Sequence, residues 1–265
     1  MSTISEKFIE LSHAWMREAS AIAMQHYRSF DKETGVMHKD DDSPLTKADL
    51  AVDAYIGNAL KTSFPDIPVV TEERAGSHDL NVSTGLFFLV DPIDGTKEFI
   101  NKRDEFTINI ALLENGNPIA GVVCAPAIGR SFVGIVGSGA FEIDLNNHGS
   151  KPINVSMPDN HALRVVASRS HLSTETQDFI DAHPVVDMKS AGSSLKFCLL
   201  ATGEADLYPR FGPTMEWDTA AGHAVLSAAG GFVKNLDGSP FRYAKKEFRN
   251  PWFIAGAEGV EYEMK

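Results

Sequence analysis

The sequence predicts an α/β protein built from packed layers of helix and sheet, and three observations carry that expectation. Apolar residues near the N-terminus recur at helical spacing, the middle is a run of β-forming segments, and the second half alternates strand-like with helix-like stretches. Ile4, Phe8, Leu11, Trp15 and Ile22 recur at three-, four- and seven-residue intervals, which predicts an amphipathic helix ending near Tyr27. A polar stretch, Asp31 to Ser43, separates it from a second helix, Thr46 to Ser63, stopped by Phe64-Pro65. Ile67 to Val70 and Leu86 to Val90 have the composition of short and buried strands. Phe106 to Leu113 and Ile119 to Ala125 are joined by Glu114-Asn115-Gly116-Asn117-Pro118, a hairpin signal, and Phe132 to Val136 and Phe141 to Leu145 extend the sheet. Next come strand Leu163 to Ala167, helix Thr174 to Ala182, strand Val185 to Met188, helix Ser194 to Thr202 and strand Ala205 to Tyr208. A small-residue helix then opens at Glu216-Trp217-Asp218-Thr219 and stops at Gly230-Gly231. With no repeat and no linker, a boundary near Ser150 to Asp159 is expected to be a hinge between packed halves, residues 1–155 and 156–265.

Composition bounds the function. A chain of 265 residues with 43% hydrophobic residues can bury a substantial core. Its net charge of −12 argues against a nucleic-acid polymer as partner, because a phosphate backbone is repelled wherever cations do not intervene. No apolar run approaches the roughly 20 residues that span a bilayer, and no signal peptide is evident, so a cytoplasmic protein is expected, with peripheral attachment to the inner membrane left open. Cys124 and Cys198 sit among apolar neighbours and read as buried free thiols, as in a reducing compartment. The nine histidines show no metal-ligand spacing.

The chemistry concentrates at Asp91-Pro92-Ile93-Asp94-Gly95-Thr96. Two carboxylates bracket a turn that follows a strand, Pro92 biases Asp91 to an extended conformation, and Gly95 permits a left-handed bend before a helix beginning at Thr96. Carboxylates collect hard cations, and the backbone N–H groups at a helix start collect phosphate. Thr71-Glu72-Glu73 ends a second strand in acid, and Asp218 stands where another helix opens. Each has a plain alternative, a common Asp-Gly turn, a solvated strand end for Glu72 and a helix N-cap for Asp218.

These three segments together resemble the inositol monophosphatase family of magnesium-dependent, lithium-sensitive phosphatases. Asp94-Gly-Thr-Lys-Glu-Phe99, Phe106-Thr-Ile-Asn-Ile-Ala111, Gly121-Val-Val-Cys-Ala-Pro126, Ser193-Ser-Leu-Lys-Phe-Cys198 and Leu207-Tyr-Pro-Arg-Phe-Gly-Pro213 resemble most closely its bacterial bisphosphate-nucleotidase branch. The resemblance implies an αβαβα sandwich and two or three Mg2+ ions. It implies one ion on Glu72, Asp91 and the Ile93 carbonyl and another on Asp91, Asp94 and Asp218, with a third, weaker ion on Glu72. The first half would then carry most metal ligands, and the second half Asp218 and the specificity segment. Asp49 and Thr96 would form the water-activating pair, with Glu72 assisting. Thr46 and Asp49 also have capping-box spacing, so a purely structural Asp49 stays open.

Gly95, Thr96 and Asp218 would border the scissile phosphate, while Ser193, Lys196 and Arg210 would grip the phosphate that is kept, the alternative being a capping Ser193 and two solvated cations. The implied reaction converts adenosine 3′,5′-bisphosphate to AMP and phosphate in sulfur assimilation. Hydrolysis of inositol phosphate or histidinol phosphate is the enzymatic alternative, and a protein-binding role in transcription or ribosome assembly the other. Oligomeric state is not legible.

Overall fold

The computed structural model describes residues 2–39, 44–147, 149–168 and 172–264, with no side-chain detail at Ser2 and Thr3. The end of the polar stretch expected at Asp31 to Ser43, positions 40–43, lies outside them. The order is α1 (Ser2–Ser29), β1 (Met37–His38), β2 (Pro44–Leu45), α2 (Lys47–Ser63), β3 (Val69–Thr71), β4 (Leu86–Asp94), α3 (Thr96–Ile100), β5 (Thr107–Glu114), β6 (Asn117–Ala125), β7 (Arg130–Ile135), β8 (Gly139–Asp144) and β9 (Ser150–Ile153). It continues with β10 (Leu163–Ser168), α4 (Thr174–Asp181), β11 (Val185–Ala191), α5 (Leu195–Ala201), β12 (Leu207–Arg210), α6 (Ala220–Ala228), β13 (Gly231–Asn235) and β14 (Phe253–Ala257).

Strands β3 to β9 pair in sequence order as one seven-stranded sheet, parallel only between β3 and β4. The other large sheet has five strands in the order β11-β10-β12-β14-β13. Phe8, Met16, Val52 and Ile56 of α1 and α2 pack on one face of the first sheet, against Phe88, Ile110 and Val122. Phe197, Leu200, Val225 and Leu226 of α5 and α6 fill the layer between the sheets, and Phe179 and Ile180 of α4 cover the outer face of the second. The layers are therefore helix, sheet, helix, sheet, helix, the expected sandwich. Helix α6 lies almost on the first sheet because two strand glycines let it: a Cβ on Gly121 would stand 2.5 Å from the Ala221 carbonyl, and one on Gly134 would stand 2.8 Å from Ala228.

Several expectations need correction. Strand β4 does not end at Val90 but runs to Asp94, because the ladder with β5 passes through a bulge in which Asp91 pairs with Asn109 and Asp94 with Thr107. Three steps on β4 thus oppose two on β5, so the aspartates, which an odd spacing would send to opposite faces, point to the same one. Pro92 is tolerated because it lies in that bulge. The expected boundary near Ser150 to Asp159 falls between β9, the last strand of the first sheet, and β10 of the second. The last helix starts at Ala220, and Asp218 is not its N-cap. Strands β13 and β14 were not expected; their Gly- and Ala-containing sequences lack a strong β pattern, and they form because they pair with β12 through β14. Both cysteines are buried free thiols, and among the described residues no helix is long and apolar enough to cross a membrane.

Candidate active site

The bulged end of β4 faces the central helical layer, and the site is assembled around it. Parallel pairing of Thr71 with Val90 is extended by a bond from the Glu72 amide to the Val90 carbonyl, 3.2 Å, which brings Glu72 beside Asp91. Asp53 of α2 fixes this acidic corner, accepting from Thr71 Oγ1 and from Arg74 Nε, each at 2.6 Å. Asp94 Oδ2 accepts from Ser194 Oγ at 2.9 Å, with Asn109 Nδ2 at 3.4 Å. Ser194 also reaches the Asp218 carbonyl at 2.7 Å, so its single proton serves either partner and the two aspartate segments meet at one hydroxyl. Asp218 itself accepts from the Met215 amide at 2.9 Å, closing the turn before α6.

The electrostatics are those of crowded like charge. Burial pushes the Asp91 carboxyl well above its ordinary value, and Glu72, Asp94, Asp218 and Glu73 push it the same way. Asp218 is raised by burial and then by Asp94 and Glu72. Asp94 is raised by burial, against the pull of Lys196 and its Ser194 bond. Asp91 Oδ1 is buried and accepts no hydrogen bond. A carboxylate oxygen left so amid negative neighbours fits a divalent cation. Among the described residues no three acidic, histidine or cysteine side chains form a metal cage by themselves. Lys39 Nζ lies 2.6 Å from Glu72 and 2.8 Å from Glu73, while protein donors hold Asp94 and Asp218. Magnesium does not need such a cage, since it is bound through one or two carboxylates with waters and substrate phosphate completing its shell.

Asp49 serves two partners at once. Its Oδ2 accepts from the Thr46 amide at 2.8 Å, completing the capping box of α2, and its Oδ1 lies 3.3 Å from Thr96 Oγ1. Burial raises its pKa to about 6, against the Thr46 bonds. The Thr96 hydroxyl is also 3.3 Å from the Ile93 carbonyl, so its one proton is shared between two acceptors. Gly95, at φ +87°, makes the left-handed bend expected of it, and a Cβ there would collide with Ser193 Oγ.

Lys196 and Arg210 are buried rather than solvated. Lys196 Nζ donates to the Ser193 carbonyl at 2.6 Å, lies 3.3 Å from the Ala191 carbonyl and stands over the Tyr208 ring. Burial, opposed by Asp94 and aided by Arg210, lowers its pKa to about 8. Arg210, the last residue of β12, donates to the Pro213 carbonyl at 3.0 Å. Ser193 does not cap α5; it lies two residues before it at φ +51° and donates to the Asp94 carbonyl at 2.8 Å. Glu72, Asp94, Gly95, Thr96, Ser193, Lys196, Arg210 and Asp218 line one cleft of about 300 Å³. Asp49, Asp91 and Ile93 do not line it; Asp49 and the Ile93 carbonyl meet its wall at Thr96, and Asp91 interacts by charge with Glu72, Asp94 and Asp218.

The signature of the inositol monophosphatase family spans residues 5–257. The chain belongs to that family. It is 43% identical over 238 residues to the 3′(2′),5′-bisphosphate nucleotidase CysQ of Escherichia coli K12, covering 89% of this chain and 94% of that protein. The CysQ of Buchnera aphidicola is 37% identical over 260 residues, 97% of this chain and 96% of that one. The crystal structure of CysQ from Bacteroides thetaiotaomicron superposes with a TM-score of 0.76 at 37% identity, covering 91% of this chain and 94% of that one. Members of this family are magnesium-dependent, which agrees with the orphaned Asp91 oxygen.

Four residues here escaped sequence reasoning. Glu73 stands in the sequence only as the acid after Glu72, with no role assigned, yet its side chain is only 4% exposed and shares Lys39 with Glu72. The doubled acid was the available signal. Lys39 lay in a polar stretch with nothing to single it out. Asn109 and Ser194 read as ordinary strand and helix-start residues, and only the β4–β5 register and the approach of α5 make them partners of Asp94.

Proposed function

We propose that the chain is a 3′(2′),5′-bisphosphate nucleotidase that converts adenosine 3′,5′-bisphosphate to AMP and inorganic phosphate. The observation that carries this reading is a cleft lined both by carboxylates and by two buried cations, Lys196 and Arg210, in a chain 43% identical to relatives named for that activity. A simple monoester needs one anion receptor. A bisphosphate needs two, and Lys196 and Arg210 place two positive charges in the lining of the same cleft as the carboxylates.

Glu72, Asp91 and the Ile93 carbonyl would hold one magnesium ion, and Asp91, Asp94 and Asp218 a second, with Asp91 shared. Magnesium there supplies Lewis acidity toward the phosphoryl oxygens and the attacking water. Thr96 would accept a hydrogen bond from that water once its own proton points to Asp49, and Glu72 borders the same place. The cap bonds from Thr46 keep Asp49 pointing there. Lys196 has three donors and spends two on carbonyls, leaving one for the retained phosphate. Arg210 adds the second charge, and Ser193 sets the loop that carries Lys196.

Phosphate release from adenosine 3′,5′-bisphosphate, adenosine 3′-monophosphate, inositol 1-phosphate and histidinol phosphate tests the reading. The bisphosphate is expected to lead in kcat/KM by at least about tenfold, the low end for one charged contact. Inositol phosphate in the lead would overturn it.

A further inference from the structure

We propose that Glu105 is a positioning residue for the substrate side of the cleft, an assignment that rests on the nucleotidase reading. The segment Gly192–Ser194 ties the parts of the site together. Ser193 donates to the Asp94 carbonyl at 2.8 Å, and its own carbonyl accepts from Lys196 at 2.6 Å. Ser194 reaches the Asp94 carboxylate at 2.9 Å and the Asp218 carbonyl at 2.7 Å. The Ser194 bonds anchor the carboxylate end of this segment, so slack introduced at Gly192 falls chiefly on the Ser193 carbonyl that holds Lys196.

Ser193 sits at φ +51°, a region that a residue with a Cβ keeps only when its surroundings hold it there. The restraint comes from the other half of the chain. The Gly192 amide donates to Glu105 Oε2 at 2.9 Å, a charge-assisted bond. The side chains of Glu98 and Glu105 lie so close that a Cβ on Gly192 would stand 2.8 Å from Glu98 Cγ and 3.2 Å from Glu105 Cβ. Glu105 does not line the cleft, and Gly192, which does, accepts its influence through the amide bond. The bare backbone at Gly192 is what permits this clamp to close.

Glu105→Gln keeps an acceptor for the amide, whereas Glu105→Leu removes it. Steady-state kinetics on adenosine 3′,5′-bisphosphate and adenosine 3′-monophosphate, with the Gly192 amide proton followed by NMR, separate the outcomes. For Glu105→Leu, kcat/KM on the bisphosphate is expected to fall about 10- to 100-fold, mostly through KM, with a loss below about threefold on the monophosphate. The Gly192 amide should move upfield. Glu105→Gln should keep both substrates within about threefold and hold the amide in place. An unchanged substrate ratio in folded Glu105→Leu, or equal damage from Leu and Gln, would overturn the assignment. Should Glu105→Leu fail to fold, Glu105→Ser, too short to reach Gly192, carries the same expectations. A wild-type substrate ratio near one would instead remove the nucleotidase reading, and the amide resonance would still decide whether Glu105 holds Gly192.

Discussion

Asp49 shows how one side chain can satisfy two demands that look like alternatives. One oxygen caps α2 and the other faces Thr96, so the capping bonds orient the acceptor that the proposed chemistry would use. Asp49→Asn retains a carbonyl oxygen for the Thr46 amide but presents a donor or a neutral acceptor to Thr96. Turnover should fall by about 10²–10⁴-fold, as for loss of general-base assistance, with the melting temperature nearly unchanged. Thr96→Val should match it with magnesium affinity preserved. Intact turnover with a lowered melting temperature in Asp49→Asn would leave the carboxylate a cap and nothing more. Asp91 makes the opposite case, a group whose charge burial and its neighbours oppose. Thermal melts of Asp91→Asn should show a magnesium-free protein at least as stable as wild type, because like-charge repulsion is relieved. The stabilisation that added magnesium gives wild type should be lost, and activity should drop at least roughly a hundredfold, taking the effect of changes behind the ligands as a floor. A wild-type response to magnesium would remove Asp91 from the ligand set.

At the scale of elements, the site depends on a bulge and a left-handed turn, and these were unequally legible. Gly95 announced its turn through Asp94-Gly95, and the structure gives it φ +87°. Gly95→Ala should destabilise by on the order of 1 kcal/mol from backbone conformation, and more from the collision with Ser193. Ser193→Gly removes the obstructing hydroxyl and suits φ +51°, so the double variant should recover part of the loss in denaturant titrations. Additive effects would mean that the two residues do not meet. The bulge was not legible: Pro92, two residues beyond Leu86 to Val90, ordinarily stops a strand, and only the pairing with β5 shows that the ladder resumes at Asp94. The acidic segments were readable because they are local in sequence. Partners such as Lys39 with Glu73, or Asn109 with Ser194, were not, since they lie 34 and 85 residues apart. β13 and β14 failed for the same reason, their strand character coming from neighbours rather than from composition.

The whole molecule stacks two sheets and three helical layers, and the site lies where the central layer meets the end of β4. That layer contains His223, buried in α6 with Nδ1 at 3.1 Å from the Tyr243 hydroxyl. Burial lowers its pKa to about 3 from an ordinary 6.5. The unfolded chain takes up this proton below about pH 6.5 and the folded one refuses it, so the contribution is intact above that pH and is lost as pH falls toward 3, by up to about 1.4 kcal/mol per pH unit. His223→Gln should flatten the acid limb of unfolding free energy against pH relative to wild type, and parallel curves would show that His223 carries no such penalty. The arrangement that carries the proposed function, however, is the presence of carboxylates together with Lys196 and Arg210 in the lining of one cleft. The most direct test is the ratio of kcat/KM for adenosine 3′,5′-bisphosphate to that for adenosine 3′-monophosphate, in wild type and in Arg210→Ala. A high wild-type ratio that falls by about 10- to 150-fold in the variant, the cost of one charged hydrogen-bonding partner, is the predicted result. A wild-type ratio near one, or a ratio untouched by removing Arg210, would contradict the account.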